Sequence, residues 1–438
     1  MLSSTSRSFF LFCALIGSIC CAFGPPACAQ AAVSLPAPLL PEIPARVFLV
    51  ADYGAKGDGA AHDTVAIQKA IDDAVQKGGG RIVFAEGVYL SGPLRIGSRI
   101  ELHFAKGATL RLIGRVPDFP EERGRYLSFF SADKAADIKI SGGGVIDGQG
   151  APWWKDYRAK NLTARRPQIF YFTDCERVLF EGITVLNPPN THMALRLCKD
   201  VTIRGITLEA PDDSPNTDGI NISGKNYLVA GCKISTGDDN VVILTPSSKG
   251  WRMPVCENFV IRDCAFGFGH GMSIGSFTGG GVRNVLVENC SFDGTTAIVR
   301  MKAARGRGGM VEQITYRNIT GRGAKYPVFI SSYYPKEPKH PALDTDAGES
   351  AATPRWKSIL LENITVTGAR NSVILWGVPA QTMSDITLRN VRIESEEGAK
   401  VYNAKKVVFE QVEINSARKP VLALFRAEVS GMTGVEVE

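Results

Sequence analysis

The 438-residue sequence lacks several patterns that mark common classes of protein. Its ten cysteines form no Cys-x-x-Cys pair and have no paired histidine spacing beside them, which argues against a structural zinc site. Its basic residues are scattered, with no basic run interleaved with aromatic residues, which argues against nucleic acid as a partner. A regular leucine pattern is also missing, which argues against a leucine-rich repeat.

Composition and charge describe what is present. Hydrophobic residues make up 44% of the chain and charged residues 21%, which is typical of a soluble globular protein with a large core. The formal net charge is +6, from 50 basic and 44 acidic residues. This modest excess suits an anionic partner, and an acidic polysaccharide is one such partner.

The amino-terminal segment has the features of an export signal. Arg7 supplies a positive charge, residues 9–23 are largely apolar, and Ala27-Cys28-Ala29 or Ala29-Gln30-Ala31 offers a small-residue cleavage site. The apolar run is shorter than a membrane-spanning helix needs, and a proline pair follows it. We therefore predict a signal peptide over residues 1–31 and a secreted mature protein, extracellular or periplasmic, with no membrane association.

A short template recurs along most of the chain. Each copy has alternating apolar residues, a turn and a second alternating pair. Ten copies begin at Asp137, Arg177, Asp200, Asn226, Asn258, Asn284, Gln313, Ser358, Asp385 and Lys406. Alternation with a period of two indicates strands, and a unit this short cannot bury its apolar face alone. The repeat predicts an all-β fold: a single-stranded, right-handed parallel β-helix, with residues 32–438 as one domain.

Coil length supports this interpretation. The anchor positions of successive copies are 23 to 32 residues apart, at Ile183, Ile206, Cys232, Cys264, Cys290 and Ile319. A propeller blade needs about 40 to 50 residues. Before the repeats, residues 63–76 place Ile67, Ala70, Ile71 and Ala74 on one helical face after an N-cap candidate, Asp63. We predict that this short helix caps the amino-terminal end of the solenoid.

The cysteines of the mature chain fall into two registers of the repeat. Three precede a strand and three occupy the anchor position: Cys175, Cys198 and Cys256, and Cys232, Cys264 and Cys290. Coils stacked about 4.8 Å apart are compatible with disulfides in an oxidising compartment. A ladder of buried free thiols, packing as small hydrophobic groups, fits at least as well. Both arrangements remain open at this point.

Four polar clusters interrupt the repeat at similar points of successive coils. They are Asn216-Thr217-Asp218-Gly219, Gly237-Asp238-Asp239, Gly269-His270-Gly271 and Arg300-Met301-Lys302. The intervals from Asp218 to Asp238, to His270 and to Arg300 are 20, 32 and 30 residues, each near one coil. Any one cluster alone is more typical of a turn or a solvated strand face. Because stacking brings equivalent positions together, their coincidence predicts one site.

The residue types in these clusters suit glycoside hydrolysis. Three carboxylates at close range repel one another, so the pKa of one should rise and allow it to act as a general acid. An ionised neighbour can then activate water, which is the division of labour that glycosidases need. Arg300 and Lys302, two residues apart on a strand, point to the same face and together form a carboxylate receptor.

In order and spacing, the four clusters resemble the four signatures of the polygalacturonases of glycoside hydrolase family 28, including Gly-Phe-Gly-His-Gly-Met-Ser-Ile-Gly-Ser at 267–276. Asp52-Tyr-Gly-Ala-Lys-Gly-Asp-Gly and Asp147-Gly-Gln-Gly-Ala-Pro-Trp-Trp are similar to amino-terminal parts of that family, so the resemblance spans roughly residues 47–420. It implies hydrolysis of α-1,4-linked galacturonic acid in polygalacturonate or pectin, with no metal and no cofactor. We expect a monomer.

Residue by residue, the resemblance implies that Asp238 is the general acid and that Asp218 and Asp239 activate the attacking water. His270 supports Asp238. The resemblance also implies that Asn216, Arg300, Lys302 and Tyr334 bind the substrate; Tyr333 is adjacent to the last of these. The family inverts, which implies a single displacement and a carboxylate separation of about 6.5–9.5 Å.

Alternative functions remain open at this stage. A pectate lyase shares the solenoid but uses calcium and an arginine base, and a rhamnogalacturonan-cleaving relative tends to lack the Asn-Thr-Asp and Gly-His-Gly residues found here. A non-catalytic polysaccharide-binding solenoid or adhesin is a third class. The segment Lys336 to Arg355 predicts a loop near the cleft that limits the enzyme to chain ends, but endo and exo action are not decided by the sequence.

Overall fold

The computed structural model of the protein describes residues 35–114, 119–248, 251–344, 347–432 and 436–437. The predicted signal peptide, residues 1–31, lies outside these described residues. Within them, no helix has the length and apolar character needed to cross a membrane.

The chain winds into a parallel β-helix in which three lines of strands run along the stack, and this confirms the predicted fold class. The first line contains Val47–Leu49, Gly80–Phe84, Ile100–Phe104, Ala136–Gly142, Glu176–Glu181 and Cys256–Arg262. The second line contains Leu94–Arg95, Phe130–Asp133, Phe170–Thr173, Val241–Ile243, Met272–Ser276, Ala297–Ala303, Tyr326–Ser331, Val373–Trp376 and Glu436–Val437. The third line contains Asp58–His62, Gly87–Ser91, Ala108–Leu112, Val145–Asp147, Thr184–Leu186, Thr207–Glu209, Lys233–Ser235 and Ala265–Phe266.

Longer strands bend from one line into the next. Met193–Arg204, Ile220–Ala230 and Leu422–Ser430 join the second line to the first. Val282–Asp293, Met310–Arg322, Arg355–Ala369 and Met383–Ser395 join the first line to the third, and Ala399–Ser416 passes through all three. Two short antiparallel pairs lie outside the stack, Glu121–Glu122 with Arg125–Tyr126 and Ser247–Ser248 with Trp251–Arg252.

Four helices accompany the strands in the described residues. Two are α-helices, Thr64–Gln76 and Ala151–Arg158, and two are 3-10 turns, Val50–Tyr53 and Pro341–Leu343. The first α-helix matches the prediction, with Asp63 at its N-cap and Ile67, Ala70, Ile71 and Ala74 buried. It contacts the early strands Gly80–Phe84 and Ile100–Phe104, so its apolar face covers the start of the solenoid.

The first residue of every repeat copy is held in the left-handed backbone region. The φ angles of these ten residues lie between 50 and 65°. Asp and Asn tolerate this region better than most side chains, which explains why six of the ten copies begin with one of them. Their amides also stack between coils, because Asn284 donates to Asn258 (3.1 Å) and Asn258 donates to Asn226 (2.9 Å).

The six described cysteines are all free and buried, so the structure has the ladder of thiols and not the disulfides. Cys198 pairs in register with Gly224, whose backbone N–H donates to the Cys256 sulfur at 3.1 Å. Gly224 has a φ of +124°, and a Cβ there would lie 1.9 Å from the Cys198 carbonyl oxygen. This glycine therefore separates two cysteines of the predicted register.

Candidate active site

The strand register brings the four polar clusters together on the outer face of the second line. Asp218, Asp239 and His270 each lie two residues before a strand of this line. Those strands pair in register through Ile220, Val241 and Met272. The next strand continues the site, since Arg300 pairs with Ser273 and Lys302 with Gly275. The inward residues between them are buried, which fixes the outward direction of the polar side chains.

Asp239 lies at the centre of the site, with its side chain only 8% exposed. It accepts hydrogen bonds from Ser273 Oγ at 2.7 Å, Arg300 Nη1 at 2.5 Å and Lys302 Nζ at 2.8 Å. Burial alone would raise the pKa of Asp239, but Lys302, His270 and Arg300 outweigh it and hold that pKa well below the ordinary range. Asp239 is therefore ionised.

The basic pair does share one face, as predicted, but in the structure both cations contact Asp239. The Lys302 side chain is 5% exposed and the Arg300 side chain 13% exposed, so both are enclosed beside the carboxylate. Their first role is to neutralise Asp239. Their role in holding a substrate carboxylate stays a prediction.

Asp218 is the carboxyl group whose pKa rises. Burial and the negative charges of Asp238 and Asp239 raise the pKa of Asp218 to about 8. Asn221 Nδ2 donates to Asp218 Oδ2 at 3.1 Å and offsets part of this rise. Sequence reasoning predicted one raised pKa among the three carboxylates, and the structure assigns it to Asp218, the aspartate farthest from the basic pair along the stack.

Asp238 and His270 form the more open side of the site. The Asp238 side chain is 25% exposed, and His270 Nδ1 lies 3.0 Å from its Oδ1. This is a charge contact without the direction of a good hydrogen bond, since Nδ1 makes no hydrogen bond in the described structure. Burial lowers the pKa of His270, but its contacts with Asp238 and Asp239 raise that pKa to about 9 overall. The imidazole is therefore protonated at neutral pH.

Two arginines outside the four clusters orient the site through asparagines. Arg166 Nη2 donates to Asn216 Oδ1, and Arg196 Nη1 donates to Asn221 Oδ1, both at 2.8 Å. Each amide then turns its NH2 group toward an aspartate, Asn216 at 3.5 Å from Asp238 Oδ2 and Asn221 toward Asp218. The sequence-predicted Asn216 is thus part of the site, whereas both arginines and Asn221 were missed.

One signal could have found some of the missed residues. Asn221, Ser273 and Arg300 occupy the same position on three strands of the second line. Extending the predicted register from Arg300 back through the repeats would therefore have flagged Ser273 and Asn221. No comparable signal marks Arg166, which lies in the connection that precedes the strand Phe170–Thr173.

The structure separates the two neighbouring tyrosines. Tyr334 faces the basic pair, with its ring centre 5.2 Å from Lys302 Nζ and 6.0 Å from the Arg300 guanidinium. The Tyr333 hydroxyl instead donates to Asp344, and its ring packs against Trp376. The geometry therefore places Tyr334, the residue predicted from the sequence, beside the site.

The charge arrangement bears on metal binding. Ligand atoms of Asp238, Asp239 and His270 lie within 4.8 Å of one another, close enough to surround an ion. Metal ligands must be deprotonated, however, and His270 has a raised pKa while Asp239 already contacts two cations. These residues fit an internal ion-pair network better than a metal centre.

A parallel β-helix that presents a fixed carboxylate beside a carboxyl of raised pKa has the groups of a glycoside hydrolase. The family model "Glycosyl hydrolases family 28" matches residues 83–414, and the chain belongs to this family. A second model, "Rhamnogalacturonase A/epimerase, pectate lyase-like", matches residues 47–107.

Individual relatives agree with the family. An endo-polygalacturonase of Pectobacterium parmentieri is 30% identical over 363 residues, covering 78% of this chain and 86% of the relative. The structure of a hyperthermoactive exopolygalacturonase from Thermotoga maritima matches with a TM-score of 0.73 and 26% identity, covering 86% of this chain and 94% of that one. A family 28 exopolygalacturonase of Yersinia enterocolitica, at 21% identity and a TM-score of 0.75 over 88% of this chain and 78% of that one, shares the fold.

Proposed function

We propose that this family 28 glycoside hydrolase cleaves the α-1,4 linkages of polygalacturonate, the acidic backbone of pectin. The observation that carries the proposal is the position of Asp239, ionised and held between Arg300 and Lys302, next to the two other aspartates. The relatives named above are polygalacturonases, and a positive site suits a polymer in which every sugar carries a carboxylate.

Acid catalysis is assigned to Asp238. Burial and the negative charges of Asp238 and Asp239 keep a proton on Asp218 at neutral pH, and we propose that this proton is delivered through Asp238. Asp238 gives that proton to the glycosidic oxygen as the bond to the anomeric carbon breaks. The His270 imidazolium, 3.0 Å from Asp238 Oδ1, stabilises the carboxylate that this transfer leaves behind.

The sequence predicts that Asp218 and Asp239 share water activation. We assign proton acceptance to Asp239, because it is the one that is ionised, and positioning of the water to Asp218, which keeps its proton at neutral pH. Contact with two cations makes Asp239 a weak base in the free enzyme. A substrate carboxylate that approaches Arg300 and Lys302 shares their positive charge and so raises the basicity of Asp239. The water oxygen then bonds to the anomeric carbon and its proton passes to Asp239, a single displacement with inversion.

The test is the product formed from polygalacturonate. We expect new reducing ends, no product that absorbs in the ultraviolet, and the same rate in the presence of a chelator. An unsaturated, ultraviolet-absorbing sugar would instead identify a lyase, and activity on rhamnogalacturonan alone would identify the other relative. Proton NMR of the first product should show inversion at the anomeric carbon. A β-helix that binds the polymer without shortening it would contradict the proposal.

The mode of attack is tested by the same reaction. Relatives of comparable similarity include an endo-acting and an exo-acting polygalacturonase. The segment that follows Tyr334 includes the turn Pro341–Leu343 and is fixed by an ion pair of 3.1 Å between Arg305 and Asp344. We propose exo action because this segment begins beside the basic pair. Early release of mono- or digalacturonate supports it, and random shortening of the polymer contradicts it.

We further propose that the enzyme is exported and acts as a monomer, with residues 1–31 removed and residues 32–438 forming one catalytic domain. Amino-terminal sequencing of the exported protein should begin near Gln30 or Ala32. Light scattering should give the mass of one chain. An uncleaved protein retained in the cytoplasm, or a dimer, would contradict these two points.

A further inference from the structure

A polar cleft of about 720 Å³ adjoins Asp218 on the amino-terminal side of the site. Five basic residues line it: Arg125, Lys160, Arg165, Arg166 and Arg196. Asp218 is the sole acidic residue among the described residues that line it. The cleft is therefore strongly positive and opens directly onto one of the catalytic carboxyl groups.

The basic residues of this cleft have no ion-pair partner among the described residues, although Asp218 acts on Arg166 and Arg196 at longer range. Within the described part of the chain, no ion pair to a carboxylate is formed by any of the five, whereas Arg158 nearby pairs with Asp213 at 2.9 Å. Arg166 is 4% exposed. Burying a cation without an ion-pair partner costs free energy, so this arrangement favours an anion supplied from outside the chain.

Arg166 is oriented to receive such an anion. Its Nη1 donates to the carbonyl oxygens of Pro189 and Pro215, and its Nη2 donates to Asn216, all at 2.8 Å. Its guanidinium stacks 3.9 Å from the Tyr157 ring. Among the described residues no hydrogen bond uses its Nε, and one N–H of Nη2 is left over. These two adjacent donors form the fork that binds a carboxylate in a bidentate way.

Arg196 adds a second incomplete donor set to the same cleft. It contributes one hydrogen bond, from Nη1 to Asn221, in the described structure. Desolvation lowers the pKa of Arg166 to about 10 and also lowers that of Arg196, while the Asp218 charge works in the opposite direction. Arg166 therefore remains a cation at neutral pH and is available to an anionic ligand.

The order of strands places this cleft across the aspartates from the basic pair. Arg196 lies in the second-line part of the strand Met193–Arg204, which pairs with Ile220–Ala230. Arg300 lies on Ala297–Ala303, four coils further along. At about 4.8 Å per coil, the two strands are roughly 19 Å apart. A polysaccharide lying along the stack would therefore meet basic residues on both sides of the aspartates.

We propose that Arg166 and Arg196 form a second carboxylate-binding subsite, which holds a uronate residue on the opposite side of the scissile bond from Arg300 and Lys302. The exposed residues Arg125, Lys160 and Arg165 draw the acidic chain into the cleft. This inference rests on the proposed function, since it takes the substrate to be a polyuronate. It adds that the enzyme recognises a carboxylate on each side of the bond that it breaks.

The decisive variant is Arg196→Gln, because glutamine keeps a donor for Asn221 but removes the charge. Dissociation constants are measured by calorimetry in the Asp238→Asn background, which does not consume substrate, for trigalacturonate and for its methyl ester. We expect the constant for trigalacturonate to rise about tenfold or more, as for a lost charged hydrogen bond, and the constant for the ester to change less than about twofold. Equal changes for both ligands, or none, would overturn the proposal.

The matched control is Arg177→Gln, which removes a half-buried arginine paired with Asp137 on another face; it should leave both constants unchanged. If Arg196→Gln does not fold, the double variant Lys160→Gln with Arg165→Gln decides, because both side chains are exposed. It should weaken the salt dependence of trigalacturonate binding, and an unchanged dependence would count against the cleft. Failure of the proposed function is a separate outcome: the wild-type enzyme would then not hydrolyse polygalacturonate at all.

Discussion

The two basic regions that flank the aspartates use the same side chains in opposite ways. Arg300 and Lys302 are committed to Asp239 and set its protonation state. Arg166 and Arg196 donate to backbone carbonyls and asparagine amides and have no carboxylate partner in the described structure. A cation paired inside the protein lowers the pKa of its carboxylate partner, whereas a cation left unpaired beside a cleft retains its capacity to bind a ligand.

The largest expected effect tests whether binding and reaction can be separated. Asp238→Asn removes the group that donates a proton to the glycosidic oxygen, while both basic regions can still hold the substrate. The value of kcat on polygalacturonate should therefore fall about 10²- to 10⁴-fold. The dissociation constant for trigalacturonate should stay similar, because neither basic region is altered. Asp263→Asn, which changes an aspartate that is 54% exposed on the outer surface, is the control and should be fully active. Near-wild-type hydrolysis by Asp238→Asn would show that Asp238 is not the general acid.

Lys302→Ala tests the basic region that is paired with Asp239. The sequence predicts mainly a rise in KM, which we expect to be about tenfold for a lost charged contact. The structure adds a change in pH dependence, because Lys302 makes the largest contribution to lowering the pKa of Asp239. Without it that pKa rises, so the acid limb of kcat/KM should move to higher pH.

The control for this variant is Lys325→Ala. Lys325 precedes the next strand of the second line, with its ammonium 5.1 Å from the Tyr326 ring centre, and it does not contact Asp239. Its removal should leave the acid limb in place. If Lys302→Ala raises KM and the acid limb stays where it is, the cations serve the substrate alone and do not tune Asp239.

A smaller effect tests the other basic region, in which Arg196 holds Asn221 against Asp218. Activity should decline as pH rises through about 8, where Asp218 loses the proton on which acid catalysis draws. Asn221 lowers the pKa of Asp218 through its hydrogen bond, so Asn221→Ala should move this alkaline limb of kcat/KM to higher pH. Asn226→Ala, in the amide ladder at a coil corner, should lower stability without moving the limb. An unmoved limb in Asn221→Ala would show that another group controls it.

Sequence patterns predict the parts of this molecule that repeat. The coil length, the Asp or Asn at left-handed corners and the capping helix follow from local rules, and the repeat in turn places Asp218, Asp239 and His270 side by side. Once a coil stacks on its neighbour, sequence distance becomes spatial distance. The fold and the grouping of the candidate site residues were therefore within reach of the sequence.

Features that depend on non-repeating connections were not predictable in this way. Arg166 reaches Asn216 across 50 residues from a connection with no periodicity. The repeat does not fix the choice between disulfides and free thiols either. Gly224 separates Cys198 from Cys256, whereas Cys232, Cys264 and Cys290 lie on neighbouring coils and are nevertheless free. The pKa values of Asp218 and Asp239 depend on burial and on which charged side chains reach each carboxylate, and both Arg300 and Lys302 reach Asp239.

The smallest effect concerns stability. It involves His270, which is a third cation beside Asp239 together with Arg300 and Lys302. Its pKa in the folded protein, about 9, lies above the ordinary value of 6.5. Protonation of His270 therefore stabilises the fold fully below pH 6.5, and this contribution is lost as pH rises through 9. Relative to His270→Gln, the wild-type free energy of unfolding, measured with urea, should decline over that interval.

His103 gives the matched contrast, because burial and the nearby Arg81 lower its pKa and it lies away from the aspartates. For His103 the sign reverses: the wild type should lose stability relative to His103→Gln as pH falls below about 6.5, where the unfolded chain takes up the proton more readily. If both variants show the same pH dependence, the local charges around His270 do not control its protonation. If the slopes differ in sign, His270 holds its charge because of the carboxylates beside it and in spite of burial.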